Sequence, residues 1–208
     1  MLRLQAWEGS VTEKAARRMR ADAQVNQDRV LAAATRAFAR DGADASLREI
    51  AKDAGVGIGT LYRRFATRED LVWAVYRGEV DRICDTVPDL LARHPPVTAL
   101  RAWMEAFLGF LAEKRGMADA LKAALGTDED QRLETRGLIT GALANLLAAG
   151  AAAGRLRPDV AALDVMMALG GISLIAGEPE RHDQAARLLD LLMAGLRPGS
   201  EGDGKQVR

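Results

Sequence analysis

Ser46-Leu47-Arg48-Glu49-Ile50-Ala51-Lys52-Asp53-Ala54-Gly55-Val56-Gly57-Ile58-Gly59-Thr60-Leu61-Tyr62-Arg63-Arg64-Phe65 is the stretch on which the reading of this chain turns. Ser46-Leu47-Arg48-Glu49 has the form of a capping box: Ser46 is placed to accept the third amide of a helix and Glu49 to reach back. Leu47, Ile50, Ala51 and Ala54 then line one face of a short helix. Gly55 supplies the left-handed residue that ends it, and Val56 plugs the angle between it and the next helix. The segment from Thr60 to Phe65 restarts a helix of about two turns. Two short helices joined by a tight glycine turn form the layout that places a recognition helix in a DNA major groove. Leu61 and Phe65 are expected to face the core. Thr60, Tyr62, Arg63, Arg64 and Arg68 are expected on the open side, where hydroxyls and cations reach phosphates and an Arg can take two hydrogen bonds from guanine. Gly59 has no side chain to hold the backbone off the phosphates.

Outward from this segment, Val30, Ala33, Ala34, Ala37 and Phe38 recur at helical spacing behind a candidate cap, Asn26, and Asp41-Gly42 supplies the stop. Thr67-Arg68-Glu69-Asp70 is a second capping signal, opening an amphipathic run through Leu71, Val72, Val75, Val80 and Ile83 toward Pro88. Beyond His94-Pro95-Pro96 the pattern predicts helices near 97–114, 117–125, 130–153, 159–176 and 181–196.

Composition agrees. The 208 residues are 49% hydrophobic but only 4% aromatic, with Ala and Leu recurring and β-branched runs scarce, which predicts an all-α chain. Basic and acidic residues balance at 29 each, so the whole molecule has no strong field for nucleic acid or an acidic membrane. The distribution is more telling: residues 46–68 hold five basic and two acidic residues, so the mild basic excess of the front third is concentrated there. Cys84 is the lone cysteine, which excludes an internal disulfide framework and points to a reducing cytoplasm. The two histidines, His94 and His182, are far apart in sequence, so no metal site, cofactor or catalytic residue is expected. The uncharged stretch 138–154 is too short and too weakly apolar to span a bilayer, and no membrane partner is expected. A small helical enzyme is the remote alternative, but neither a nucleophile elbow nor a strand-borne phosphate loop is present.

The quoted stretch closely resembles the TetR family of bacterial transcriptional regulators. The likeness covers roughly residues 24–75, including a preceding helix like Arg29 to Arg40 and a following Thr-Arg-Glu cap at Thr67 to Glu69. It implies a homodimer, a three-helix DNA-binding domain, and a divergent helical C-terminal domain whose small-molecule effector controls DNA affinity. Carried over by position, Ser46, Arg48, Thr60, Tyr62, Arg64 and Arg68 would contact phosphates, with Ile58, Gly59 and Arg63 nearest base edges. Many relatives have an aromatic residue where Arg63 stands and His where Arg64 stands. The departure leaves open how much base reading falls to the two arginines.

Two further groups draw attention. Trp103, Met104, Phe107, Phe110, Met117 and Leu121 gather large, soft apolar side chains in a chain poor in aromatics; they fit an effector pocket or an ordinary core. The last two helices carry more apolar surface than one core face requires, through Leu163, Met167, Gly170 and Leu174 and then Leu188, Leu192 and Leu196. Paired across a two-fold axis, they would make a four-helix dimer interface. The organisation expected is a basic, flexible arm at 1–23, a helix-turn-helix DNA-binding domain at 24–70, a helical regulatory and dimerisation domain at 71–197 and a flexible tail at 198–208. The full expectation is about nine helices and a cytoplasmic repressor released from a pseudo-palindromic double-stranded operator by an unidentified effector. An activator or an effector-independent DNA-binding protein fits the same residues.

Overall fold

A computed structural model describes residues 24–113, 129–176 and 182–199, and the expectations for the N-terminal arm, for a helix at 117–125 and for most of the tail lie outside these. Among the described residues there are helices and turns but no strand. In chain order they are α1 (24–41), a 3-10 turn (Gly42–Asp44), α2 (Leu47–Asp53), α3 (Ile58–Arg64), α4 (Arg68–Cys84), α5 (Val87–Arg93), α6 (Pro96–Glu113), α7 (Glu129–Ala152), α8 (Ala162–Ala176) and α9 (His182–Gly195). The all-α expectation holds.

Two apolar clusters organise these helices. The first takes Val30, Ala33, Ala34, Ala37 and Phe38 from α1, Ile50 and Ala51 from α2, Leu61 from α3, Phe65 just beyond it, and Leu71, Val72 and Val75 from α4. The predominance of Ala on α1 brings its backbone close to the two short helices, so that Phe38 is fully enclosed. The second cluster starts where the first stops: Val80 and Ile83 of α4 pack with Trp103, Met104 and Phe107 of α6, Leu143 and Leu146 of α7, Leu169 of α8 and Leu189 of α9. One 17-residue helix, α4, thus contributes to both cores. The full capping box at its start, Thr67 accepting from the Asp70 amide at 3.0 Å and Asp70 accepting from the Thr67 amide at 2.9 Å, fixes where that helix begins.

Polar contacts add direction to this packing. The Trp103 indole donates to the Ile83 carbonyl at 3.1 Å, satisfying a buried polar atom at the end of α4. Arg77 of α4 reaches Glu134 of α7 at 2.6 Å as well as Asp81 on its own helix at 3.0 Å. Arg101 of α6 pairs with Glu105 and with Asp190 of α9. Gly150 on α7 is required by close approach, because a Cβ there would lie 2.2 Å from Leu156 Cδ1.

Three expectations need correction. Asn26 is not a cap, since α1 is already helical at residue 24; the apolar stripe that begins at Val30 marks the buried part of the helix, not its start. The amphipathic run from Arg68 does not continue to Pro88 but ends at Cys84, and a separate α5 follows. Pro88 stands in the first turn of α5, where its missing N–H has no intrahelical partner to lose. Finally, the Ser46 hydroxyl does accept from the Glu49 amide, at 3.4 Å, but only that half of the expected box is described.

Candidate nucleic-acid interface

The helix-turn-helix is built by backbone hydrogen bonds that glycine makes possible. Gly55 has φ +69°, and with it the Val56 amide reaches the Ala51 carbonyl at 2.9 Å while the Gly55 amide reaches Lys52 at 3.0 Å. This paired closure ends α2 in one residue and turns the chain sharply. Val56 is half-buried against the first core. Gly57 then begins α3, accepting from the Thr60 amide at 2.8 Å and the Leu61 amide at 3.2 Å. The Phe65 amide donates to Leu61 at 2.8 Å, and Phe65 itself is extended and buried, so α3 stops after two turns.

Leu61 and Phe65 anchor α3, and the rest of the helix faces out. Ile58, Gly59, Thr60, Tyr62, Arg63 and Arg64 are all exposed. Tyr62 keeps 49% and Ile58 37% of their surface in solvent. A Cβ at Gly59 would meet nothing within 4 Å, so this point is open to an approaching backbone. Ser46 and Arg48, at the start of α2, are exposed too.

The arginines of this segment differ in what holds them. Arg63 donates from Nη2 to the Thr60 hydroxyl at 3.1 Å and lies along its own helix. Arg64 donates from Nη2 to Oε1 of Gln27 on α1. Arg68 does not stand on the open side as expected. Its guanidinium is half-buried, donates from Nη2 to the Ala45 carbonyl and sits 5.9 Å above the Phe38 ring, with Nη1 enclosed and without a partner. The sequence placed it one turn beyond α3; the fold turns it inward because α4 starts against the corner between α1 and α2. Gln27 was missed at the sequence level, since a contact across 37 residues leaves no local pattern.

Residues 30–75 match the model for bacterial regulatory proteins of the tetR family. Residues 95–198 match the C-terminal domain of SbtR-like transcriptional regulators.

The chain belongs to the TetR family of transcriptional regulators.

Among solved structures it is similar to a TetR transcriptional regulator from Streptomyces coelicolor, with 51% identity, TM-score 0.72, and coverage of 83% of this chain and 99% of that one. A TetR regulator from Mycobacterium vanbaalenii is 34% identical at TM-score 0.67, covering 86% and 99%. An HTH-type transcriptional regulator from Staphylococcus aureus is 39% identical over 64 residues; the match covers 30% of this chain and 35% of the length of that relative. The protein is therefore a DNA-binding helix-turn-helix regulator in family and fold, and these are not the family and fold of an enzyme. No helix among the described residues is long and apolar enough to cross a membrane.

Of the expected effector residues, Trp103, Met104, Phe107 and Phe110 are brought together and buried, whereas Met117 and Leu121 lie outside the described residues. Trp103 stacks on Phe107 at 5.2 Å, and Phe107, Phe110 and Tyr76 continue the chain of rings at 5.9 and 5.7 Å. Burial pushes the Tyr76 hydroxyl above the usual tyrosine range. The cavities described among these helices open elsewhere, for example about 580 Å3 between α4 and α5 beside Asp85 and His94.

On the last two helices, Leu163 and Met167 of α8 are exposed, the latter at 65%, and so is Leu174 at 74%. Gly170, Leu188 and Leu192 are half-buried. Leu196 is a correction: it is buried just beyond the last helix, as Leu189 and Met193 are within it. Its carbonyl accepts from the Arg157 amide at 2.9 Å. Leu191, at 69% exposure, lies on the outward side instead.

Proposed function

We propose that this protein is a repressor that binds as a homodimer to a pseudo-palindromic operator in the cytoplasm and is released by a small-molecule effector. The observation that carries the reading is the continuity of α4, whose first turns belong to the DNA-binding core and whose last turns belong to the regulatory core. Any rearrangement around Trp103 that moves Ile83 must move the start of the same rigid helix, and with it α2 and α3. An effector then acts by favouring a state in which the two recognition helices of the dimer are wrongly spaced. Dimerisation is supported by the uncovered residues Leu163, Met167 and Leu174 of α8 and Leu191 of α9, exposed apolar surface of the kind that marks a partner. Phosphates are to be met by Ser46, Arg48, Thr60, Tyr62 and Arg64, and base edges by Ile58, Gly59 and Arg63. Effector binding falls to the Trp103, Met104, Phe107 and Phe110 group, whose soft side chains can separate around an apolar ligand.

A regulator without an effector is a second reading, favoured by the closed packing of that aromatic group. One experiment addresses both. A promoter carrying a site selected by the protein from genomic DNA is fused to a reporter, with and without the regulator. Lower output that rises when candidate apolar molecules are added supports the proposal; higher output with the regulator makes it an activator. Release by none of a broad apolar set, with tight DNA binding intact, favours the effector-independent form.

A further inference from the structure

We propose that Gln27 is a positioning residue for DNA binding, acting by holding Arg64 in the direction from which it meets a phosphate; the inference rests on the operator-binding reading above. Three arginines lie in the segment from Arg63 to Arg68, and each is held differently. Arg63 rests on Thr60 in its own helix, and Arg68 is turned inward to Ala45. Of the three, Arg64 alone donates a hydrogen bond to a side chain of a different helix, Gln27 on α1. Because a guanidinium only donates, the Gln27 atom facing it is the carboxamide oxygen, and one N–H taken by Gln27 leaves the others of the fork free for an anion. The need for such a hold is visible beneath it. A cavity of about 180 Å3, lined by Gln27, Val30, Val56, Thr60, Leu61 and Arg64 among others, separates the start of α1 from α3. The exposed stem of Arg64 borders this space, and without an acceptor on α1 its ordering falls on the binding step.

Gln27 carries no charge, so its effect passes through Arg64 and has a signature of its own. Losing the hold should weaken binding about threefold to tenfold, the cost of ordering one long side chain on association. Selected and random DNA should be affected alike, and the slope of log affinity against log salt should not change, because the number of cations meeting phosphates is the same.

The test is a double-mutant cycle of Gln27→Leu and Arg64→Ala, read by fluorescence anisotropy across a salt series on a duplex selected by the wild-type protein. Gln27→Ala runs in parallel, so that a folding defect in one replacement, seen by thermal unfolding, leaves the other to decide. Arg64→Ala should lower the slope by about 0.9. In that background the Gln27 replacements should do nothing further. If they weaken Arg64→Ala as much as they weaken wild type, or leave wild type unchanged, the positioning role is overturned. If wild-type protein selects and binds no duplex, the operator-binding reading fails, a result read without any variant.

Discussion

Arg68 offers a sharp test of how the DNA-binding core is held to the helix that controls it. Consider Arg68→Met, which keeps an unbranched aliphatic stem and removes the guanidinium. Lost are a charge-assisted hydrogen bond to the Ala45 carbonyl, worth about 1.5–3 kcal/mol, and a cation–π contact with Phe38 worth about 0.5–2 kcal/mol. Recovered is the enclosure of Nη1 without a partner, about 1–3 kcal/mol. The net is a destabilisation of about 1–2 kcal/mol, which for a chain of this length lowers the melting temperature by about 2–8 °C. The salt slope of DNA binding should not change, because the charge removed does not face phosphates. Thermal unfolding and a salt series on the same preparation measure both quantities. An unaltered melting temperature together with a slope lower by about 0.9 would refute the inward assignment and restore Arg68 to the phosphate contacts.

Three further outcomes are expected. Replacing Arg64 with Ala should weaken all sequences alike, whereas Arg63→Ala should relax preference at one base pair by about 1–3 kcal/mol if Arg63 reads guanine; base-by-base binding profiles separate the two, and equal profiles would end that division of labour. Leu174→Glu places a charge on the uncovered apolar surface, so the variant should sediment as a folded monomer and lose operator affinity, while an unchanged dimer would move the interface elsewhere. Cys84 is half-buried, and burial, reinforced by Asp81 and Asp85 against the opposing pull of Arg77, pushes its thiol up to about 11. The native thiol should therefore alkylate more slowly at pH 8 than the unfolded one, and its contribution to stability, full below the unfolded thiol's pKa near 9, should fall as pH rises from there toward 11.

What could be read from the sequence was what local rules determine. Gly55, the Thr67 cap and the spacing of Leu61 and Phe65 each act within a few residues, so the two short helices and their turn were legible from chemistry at known offsets. Long-range determinants were not. Nothing near Gln27 marks a partner 37 residues away, and nothing around Arg68 announces that its cation turns under the α1–α2 corner. Leu196 was misplaced for a similar reason. Leu188, Leu189, Leu191, Leu192, Met193 and Leu196 crowd the end of the last helix and the residue after it, and spacing alone did not tell that Leu189, Met193 and Leu196 go in while Leu191 stays out. The break between α4 and α5 was hidden because Pro88 reads as a stop, although in a first turn it is compatible with a new helix.

The central claim is that two copies of this chain read one two-fold site with paired α3 helices. The most direct measurement is the footprint and mass of the complex formed on a duplex selected from genomic DNA by the purified protein. The account predicts two protected half-sites related by inverted symmetry, with centres about 34–36 Å apart along the duplex or a multiple of that, covered by an even number of copies. A single copy on an asymmetric site, or no enrichment of any sequence over random DNA, would contradict it.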